Sequence, residues 1–231
     1  MTRDINDLKG DVPVITIDGP SGSGKGTISR KIASILQWNI LDSGALYRVI
    51  AYSSILMKLN VKKESAIKEL IPSLDIKFAV TKNGQQKVYL NQQNVSSQIR
   101  AESCGKQASY IAKYMSIREE LKNLQRNYLR MPGLVADGRD MGTIVFPTSK
   151  LKIFLTATDE ERASRRYKQL KEKDINVSLP AVLRDINIRD KRDRERENAP
   201  LVAADDAHII DSTKMTIKEV TTRIMHLYEK L

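Results

Sequence analysis

The chain has 231 residues, with 39 lysines and arginines against 28 aspartates and glutamates, for a net charge of +11. That length suits one domain carrying an insertion, or two small domains. No run of ~18 apolar residues occurs, which excludes a membrane-spanning helix, and the single cysteine, Cys104, excludes an internal disulfide or thiolate metal site and reads as a small helix residue.

The segment from Met1 to Val12 is polar and lacks an apolar signal-peptide core, so a cytoplasmic location is expected. Val14-Ile15-Thr16-Ile17-Asp18 reads as a buried strand, a glycine-rich loop follows, and a helical pattern runs over 27–36. Trp38 to Asp42 predicts a second strand, and Ser43-Gly44 opens a helix to about 59, with another over 62–71 before Pro72. Asp75 to Val80 and Lys87 to Leu90 alternate with period two, and Lys82-Asn83-Gly84 between them predicts a hairpin turn. An antiparallel hairpin inside a strand–helix series marks an inserted subdomain.

Residues 101–130 read as helical with a break near 115, where Ser116-Ile117-Arg118-Glu119 matches a capping box. In one continuous helix Ser109 and Arg118 would lie on opposite faces; a break lets them converge on one pocket. Strands are expected at Leu134–Asp137, Leu151–Leu155 and His208–Asp211, and helices over 158–173, 179–196 and 216–230. Repeated strand–helix alternation predicts an α/β fold with a parallel sheet covered on both faces.

Gly19-Pro20-Ser21-Gly22-Ser23-Gly24-Lys25-Gly26-Thr27 holds four of the eleven glycines. Between a buried strand and a helix, such a loop turns backbone N–H groups around a phosphate chain, and Lys25 reaches the terminal phosphates. Gly26 stands where the G-x-x-x-x-G-K pattern usually has Ser or Thr, so a metal contact falls to Thr27 or passes through water. Asp137, at the end of an apolar strand, suits a place beside such a metal, or else caps the next turn.

Basic residues gather around this loop. Arg48 lies one turn inside its helix, Arg139 lies just past the third strand, and both meet the sheet edge where open α/β sheets bind ligands. Arg189, Arg192, Asp193 and Arg196 have the spacing of one helix face, and Arg162, Arg165 and Arg166 form a second cluster. Together they resemble a clamp for several phosphates during phosphoryl transfer. A phosphate monoester acceptor is already largely ionised near neutral pH, its second pKa being ~6. No general base is then required, and His208 and His226 read as structural.

The motifs I-D-G-P-S-G-S-G-K-G-T at 17–27, L-D-S-G-A-L-Y-R at 41–48, V-S-S-Q-I-R at 95–100 and A-D-G-R-D-M-G-T at 136–143 resemble those of bacterial cytidylate kinases. So do K-I-F-L-T-A at 152–157, E-E-R-A-S-R-R at 160–166, R-D-K-R-D-R at 189–194 and A-P-L at 199–201. The resemblance implies the P-loop nucleoside monophosphate kinase fold: a five-stranded parallel sheet flanked by helices, a small β-containing insertion and a short helical lid. The core would span 1–72, 101–157 and 198–231, the monophosphate-binding insertion 73–100, and the lid with its flanking helices 158–197.

It further implies ATP as donor, Mg²⁺, and CMP or dCMP as acceptor, in a monomer without nucleic-acid or membrane partners. Residues 19–27, Arg165 and Arg189 would hold ATP. Ser43, Ser109, Arg118 and Asp140 would read the cytosine, Arg48 and Arg139 would hold the CMP phosphate, and Asp193 and Arg196 would lie at the ribose and phosphate. Lys25, Arg139 and Arg196 are the implied catalytic cations. A carboxylate at Asp140 is chemically apt for the exocyclic amine of cytosine.

Rival readings remain. A kinase for another monophosphate is disfavoured only by the motifs, and one for a phosphate-free metabolite by the arginine surplus. A GTP switch would carry an Asn-Lys-x-Asp guanine reader, which does not occur. A basic nucleic-acid module would need a stacking platform, and three phenylalanines and one tryptophan supply it poorly.

Overall fold

The computed structural model describes residues 12–81, 86–172, 174–196 and 198–231. Five strands, β1 (Val14–Asp18), β2 (Asn39–Asp42), β6 (Leu134–Gly138), β7 (Leu151–Thr156) and β8 (His208–Asp211), form a parallel sheet in the order β2-β6-β1-β7-β8. The five strand segments expected from the sequence are these five. Their two-residue periodicity divides the core. Leu41, Leu134 and Ala136 join one apolar cluster, and Ile15, Ile17, Ile40, Val135 and Ile153 join the other, so both faces are buried as a parallel sheet requires.

Helices α1 (Lys25–Leu36) and α8 (Ile217–Tyr228) cover the second face through Ile28, Ile32, Val220 and Ile224. Helix α2 (Ser43–Leu56) covers the first through Leu46 and Val49, and buries Ile50 and Ala51 on its other side among α3 (Glu64–Leu70), α4 (Glu102–Ile111) and α5 (Met115–Arg126). A short 3₁₀ turn, Ile71–Ser73, ends α3 at Pro72, which cannot donate to a continuing helix.

The expected hairpin forms from β3 (Ile76–Val80) and β4 (Gln86–Leu90), paired antiparallel with Ile76 opposite Leu90 and Phe78 opposite Val88, and extended by β5 (Gln93–Asn94). The turn assigned to Lys82-Asn83-Gly84 lies outside the described residues. Ile76, Val88, Leu90, Val95 and Ile99 share a cluster with Leu46 and Leu134, so the hairpin packs on the body of the protein instead of forming a core of its own.

The break in the long helical region is present, but its cause differs from the expectation. Helix α5 begins at Met115 after Tyr114, which makes no side-chain cap, so Ser116 lies inside the first turn and does not cap it. Its hydroxyl instead donates to Glu64 Oε1 on α3 at 2.6 Å. Arg118 helps to close the break, donating from Nη1 to the carbonyl of Ala112 at the end of α4 (3.1 Å). A true capping box occurs elsewhere, between Thr216 and Glu219 at the start of α8.

Helices α6 (Asp159–Lys171) and α7 (Leu179–Arg194) form a hairpin with a small core of Ala163, Leu170, Val182 and Ile186. Arg162, fully buried, fastens it: the guanidinium reaches Asp159 and Asp190 at 2.5 Å and the carbonyl of Ser21 at 2.7 Å. One member of the arginine cluster thus ties the hairpin to the phosphate loop and is spent on structure.

Candidate active site

The carboxyl ends of β1, β2 and β6 open into a cleft of about 500 Å³. The loop between β1 and α1 borders it. Gly19 has φ +144°, and a Cβ there would fall 2.0 Å from the carbonyl oxygen of Leu155, so only glycine fits between β1 and β7. Lys25, only 5 % exposed, donates from Nζ to the Pro20 carbonyl at 2.7 Å and lies 3.4 Å from Ser23 Oγ. Burial, reinforced by the neighbouring Arg139 cation, pushes its pKa down to about 7.

Two carboxylates stand behind the loop. Asp18, at the end of β1, accepts the N–H groups of Met141 and Gly142 at 2.9 and 2.8 Å and so fixes the turn that follows Arg139 and Asp140. Burial raises its pKa to about 6 against the pull of those two donors. Asp137, at the end of β6, is raised to about 7, by burial first, with Lys25 opposing and Asp42 adding to the shift. A Cβ on Gly26 would come 3.2 Å from Asp137 Oδ2, so the glycine leaves that carboxylate room on the loop side.

Ser43, Arg48, Ser109, Arg118, Arg139, Asp140, Arg189, Asp193 and Arg196 all line the same cleft as Lys25. Helices α2, α4, α5 and α7, the turn after β6 and the segment after α7 supply them, and none is adjacent in sequence to the phosphate loop. Arg118 and Asp140 form a buried ion pair. Asp193 bridges two cations, accepting from Arg139 Nε at 2.9 Å and pairing with Arg196. Ser109 Oγ is buried with no partner among the described residues. Arg48 donates to the carbonyl of Ile99 at 3.0 Å, and its guanidinium lies with that of Arg189 against Gly105 of α4.

Other candidates are placed differently. Arg165 is not among the residues that line the cleft; it packs against the loop, bonding Ser212 and the carbonyl of Ser23. Its neighbour Arg166 reaches the cleft and pairs with Glu102, as does Arg189. Arg192, grouped by spacing with Arg189 and Arg196, is exposed outside the cleft. Thr27 is not on the lining either; its hydroxyl lies 3.4 Å from Arg30 Nη2. His208 and His226 are exposed and are not among the residues that line the cleft.

Two further residues at or beside the cleft were not among the candidates. Tyr47 is half-buried beside Arg118 and Asp140, and desolvation pushes its hydroxyl up to about 12. Glu102, at the start of α4, is the anion shared by Arg166 and Arg189. The motif segment at 41–48 contained Tyr47; for Glu102 only its place near a predicted helix start gave a signal.

A family model described as cytidylate kinase matches residues 15–230. A cytidylate kinase of Pectobacterium carotovorum subsp. carotovorum is 50% identical over 213 residues, covering 92% of this chain and 94% of its own. Cytidylate kinases of Colwellia psychrerythraea, 49% identical with the same coverage, and Aeromonas salmonicida, 49% identical with 94% of both chains covered, agree with it. A phosphate loop, a cation-lined cleft and this match along nearly the whole sequence lead to one conclusion: the chain belongs to the cytidylate kinase family.

Proposed function

We propose that the chain transfers the γ-phosphoryl group of ATP to CMP and dCMP, giving ADP and CDP or dCDP. The observation that carries this reading is the content of one cleft: the Lys25 loop, the Asp193-bridged arginines and the Asp140–Arg118 pair share it. Cytosine presents an exocyclic amine beside ring acceptors, and a carboxylate beside a guanidinium answers that pattern. Uracil puts a carbonyl where cytosine has its amine, and Asp140 would repel it.

Arg48, Arg139 and Arg196 hold the acceptor phosphate and Lys25 the donor phosphates. Charge spread over the transferring group is then met by fixed cations, which is the main requirement of phosphoryl transfer. The acceptor oxygen arrives ionised, and no histidine lines the cleft to act as a base. Ser109, whose hydroxyl has no partner among the described residues, adds a polar contact for the base.

A magnesium ion fits the donor side. Asp137 lines the cleft, accepts no hydrogen bond among the described residues, and offers the hard oxygen that Mg²⁺ takes. No group of three or more acidic, histidine or cysteine side chains forms a metal cage among the described residues, so the ion would be shared between Asp137, water and substrate phosphates. When bound, it would neutralise charge on the transferring phosphates. The insertion at 73–100 and the lid at 158–197 both border the cleft, through Ile99 and Arg100 on one side and Arg166 and Arg189 on the other. Their closure would exclude the water that otherwise competes as acceptor.

An ADP-release assay with ATP·Mg²⁺ against CMP, dCMP, UMP, AMP, GMP and dTMP tests the reading. Turnover is expected to be strongly selective for CMP and dCMP. In Asp140→Ala the CMP:UMP ratio of kcat/KM should fall by about 10- to 100-fold, the worth of one base-edge contact, with KM for ATP unchanged. Equal losses for the two pyrimidines would remove Asp140 from base reading, and no turnover of any monophosphate would remove the kinase.

A further inference from the structure

Gln125 is a glutamine only 3 % exposed on a helix whose outer face is charged. It follows Arg118 by seven residues, two helical turns, and Leu121 lies between them on the same buried stripe of α5. The side chain has one described partner: Nε2 donates to Ser43 Oγ at 2.8 Å. Ser43 is the first residue of α2, is buried, and lines the cleft.

The direction of that hydrogen bond has a chemical consequence. A serine hydroxyl has one proton and two lone pairs, whereas an amide nitrogen can only donate. Ser43 is therefore the acceptor towards Gln125, and its own proton is free for another group. The helix offers it no competing role, since the cap of α2 is the carboxylate of Asp42, which accepts from the N–H of Ala45 at 2.9 Å. Gln125 thus holds an otherwise freely rotating hydroxyl in the orientation of a donor.

We infer that Gln125 is a positioning residue for pyrimidine selection: it fixes Ser43 as a hydrogen-bond donor to the base. The inference rests on the reading above that Ser43 faces the base. A donor at this point suits N3 of cytosine, which is an acceptor, whereas N3 of uracil carries a proton of its own; O2 accepts in both bases, so the discrimination lies at N3. Selection by Asp140 for the exocyclic amine would then be joined by a second, independent choice at the ring.

The test measures kcat/KM for CMP and for UMP in Gln125→Leu, Gln125→Glu, Ser43→Ala and the double variant Ser43→Ala/Gln125→Leu. In Gln125→Leu the CMP:UMP ratio is expected to drop about 5- to 10-fold, the worth of one neutral hydrogen bond, with KM for ATP unchanged. Glutamate fills the same volume but accepts, so Gln125→Glu should draw the Ser43 proton to itself and lower the ratio at least as far. In the double variant, Gln125→Leu should add nothing to Ser43→Ala, because it acts through that hydroxyl.

Failure takes distinguishable forms. A Ser43→Ala variant with an unchanged ratio would overturn the placement of Ser43 at the base. A lowered ratio in Ser43→Ala with unchanged ratios in both Gln125 variants would overturn the positioning role alone. Gln125 variants that slow CMP and UMP equally, or that lower only the melting temperature, would make the residue merely structural. If Gln125→Leu does not fold, Gln125→Glu, which keeps size and polarity, carries the test.

Discussion

Lys25→Met is expected to lower kcat by about 10³-fold or more, the scale seen when a single preorganised charge is removed from a transferring group. The side chain is buried at the loop, and its ammonium is close to the Asp193-bridged arginines. Methionine preserves the volume and removes only the charge and its donors. Circular dichroism of the variant should match the wild type, since the loop backbone is set by glycine geometry. A Lys25→Met enzyme with unaltered turnover would sink the assignment of this loop to the donor phosphates.

The same residue gives a second, independent readout. Its folded pKa lies near 7, below the ordinary 10.5, because burial and then Arg139 disfavour the charged form. The stability that the free protein loses at this position is therefore withheld at low pH and recovered as pH rises from about 7 to 10.5. Phosphates placed against the amine reverse the balance and raise its pKa. Binding of ATP at pH 8 should then take up close to one proton per site. Calorimetry in two buffers of different ionisation heat measures this directly, and Lys25→Met should abolish the uptake even though some nucleotide still binds.

What could be read from the chain beforehand follows physical lines. The phosphate loop was legible because glycine at 19 answers a backbone demand that no other residue meets. Strands β1, β2, β6 and β7 were legible because each is a short, largely buried run, and β8, which buries only Ile210, by its β-branched pair. The convergence of Arg118 with Ser109 followed from recognising a helix break between them, although the supposed cap at Ser116 proved to bond Glu64. The arginines behaved differently. Arg162, Arg165 and Arg166 look alike in sequence, yet one is a buried brace, one packs against the loop beside Ser212 and one reaches the cleft. Which of these roles an arginine takes depends on distant partners, Asp190, Ser212 and Glu102, that no local pattern reveals. Gln125 was invisible for the same reason: its partner lies 82 residues away.

The second large effect belongs to Asp193. Its side chain is 6 % exposed and it carries both Arg139 and Arg196, while Arg118 and Lys25 stand close enough to add to the local positive field. Asp193→Asn keeps the shape and removes the one negative charge that pairs with both guanidiniums. Leaving buried cations uncompensated costs about 3–5 kcal/mol, so the melting temperature should fall by many degrees. The guanidiniums should also lose their fixed orientation, and kcat/KM for CMP should drop about 10²-fold. Inorganic phosphate provides the decisive control. An anion bound at the arginines replaces the missing charge, so it should raise the melting temperature of Asp193→Asn more than that of the wild type, by mass action on the folded state. Equal stabilisation of the two proteins would mean that Asp193 does not balance the phosphate-binding cations. An unchanged melting temperature and an unchanged kcat/KM would mean that the bridge is not holding them at all. The expected outcome has a mechanistic consequence: the carboxylate keeps the cations apart and oriented between turnovers, and the substrate phosphate completes their neutralisation as it arrives.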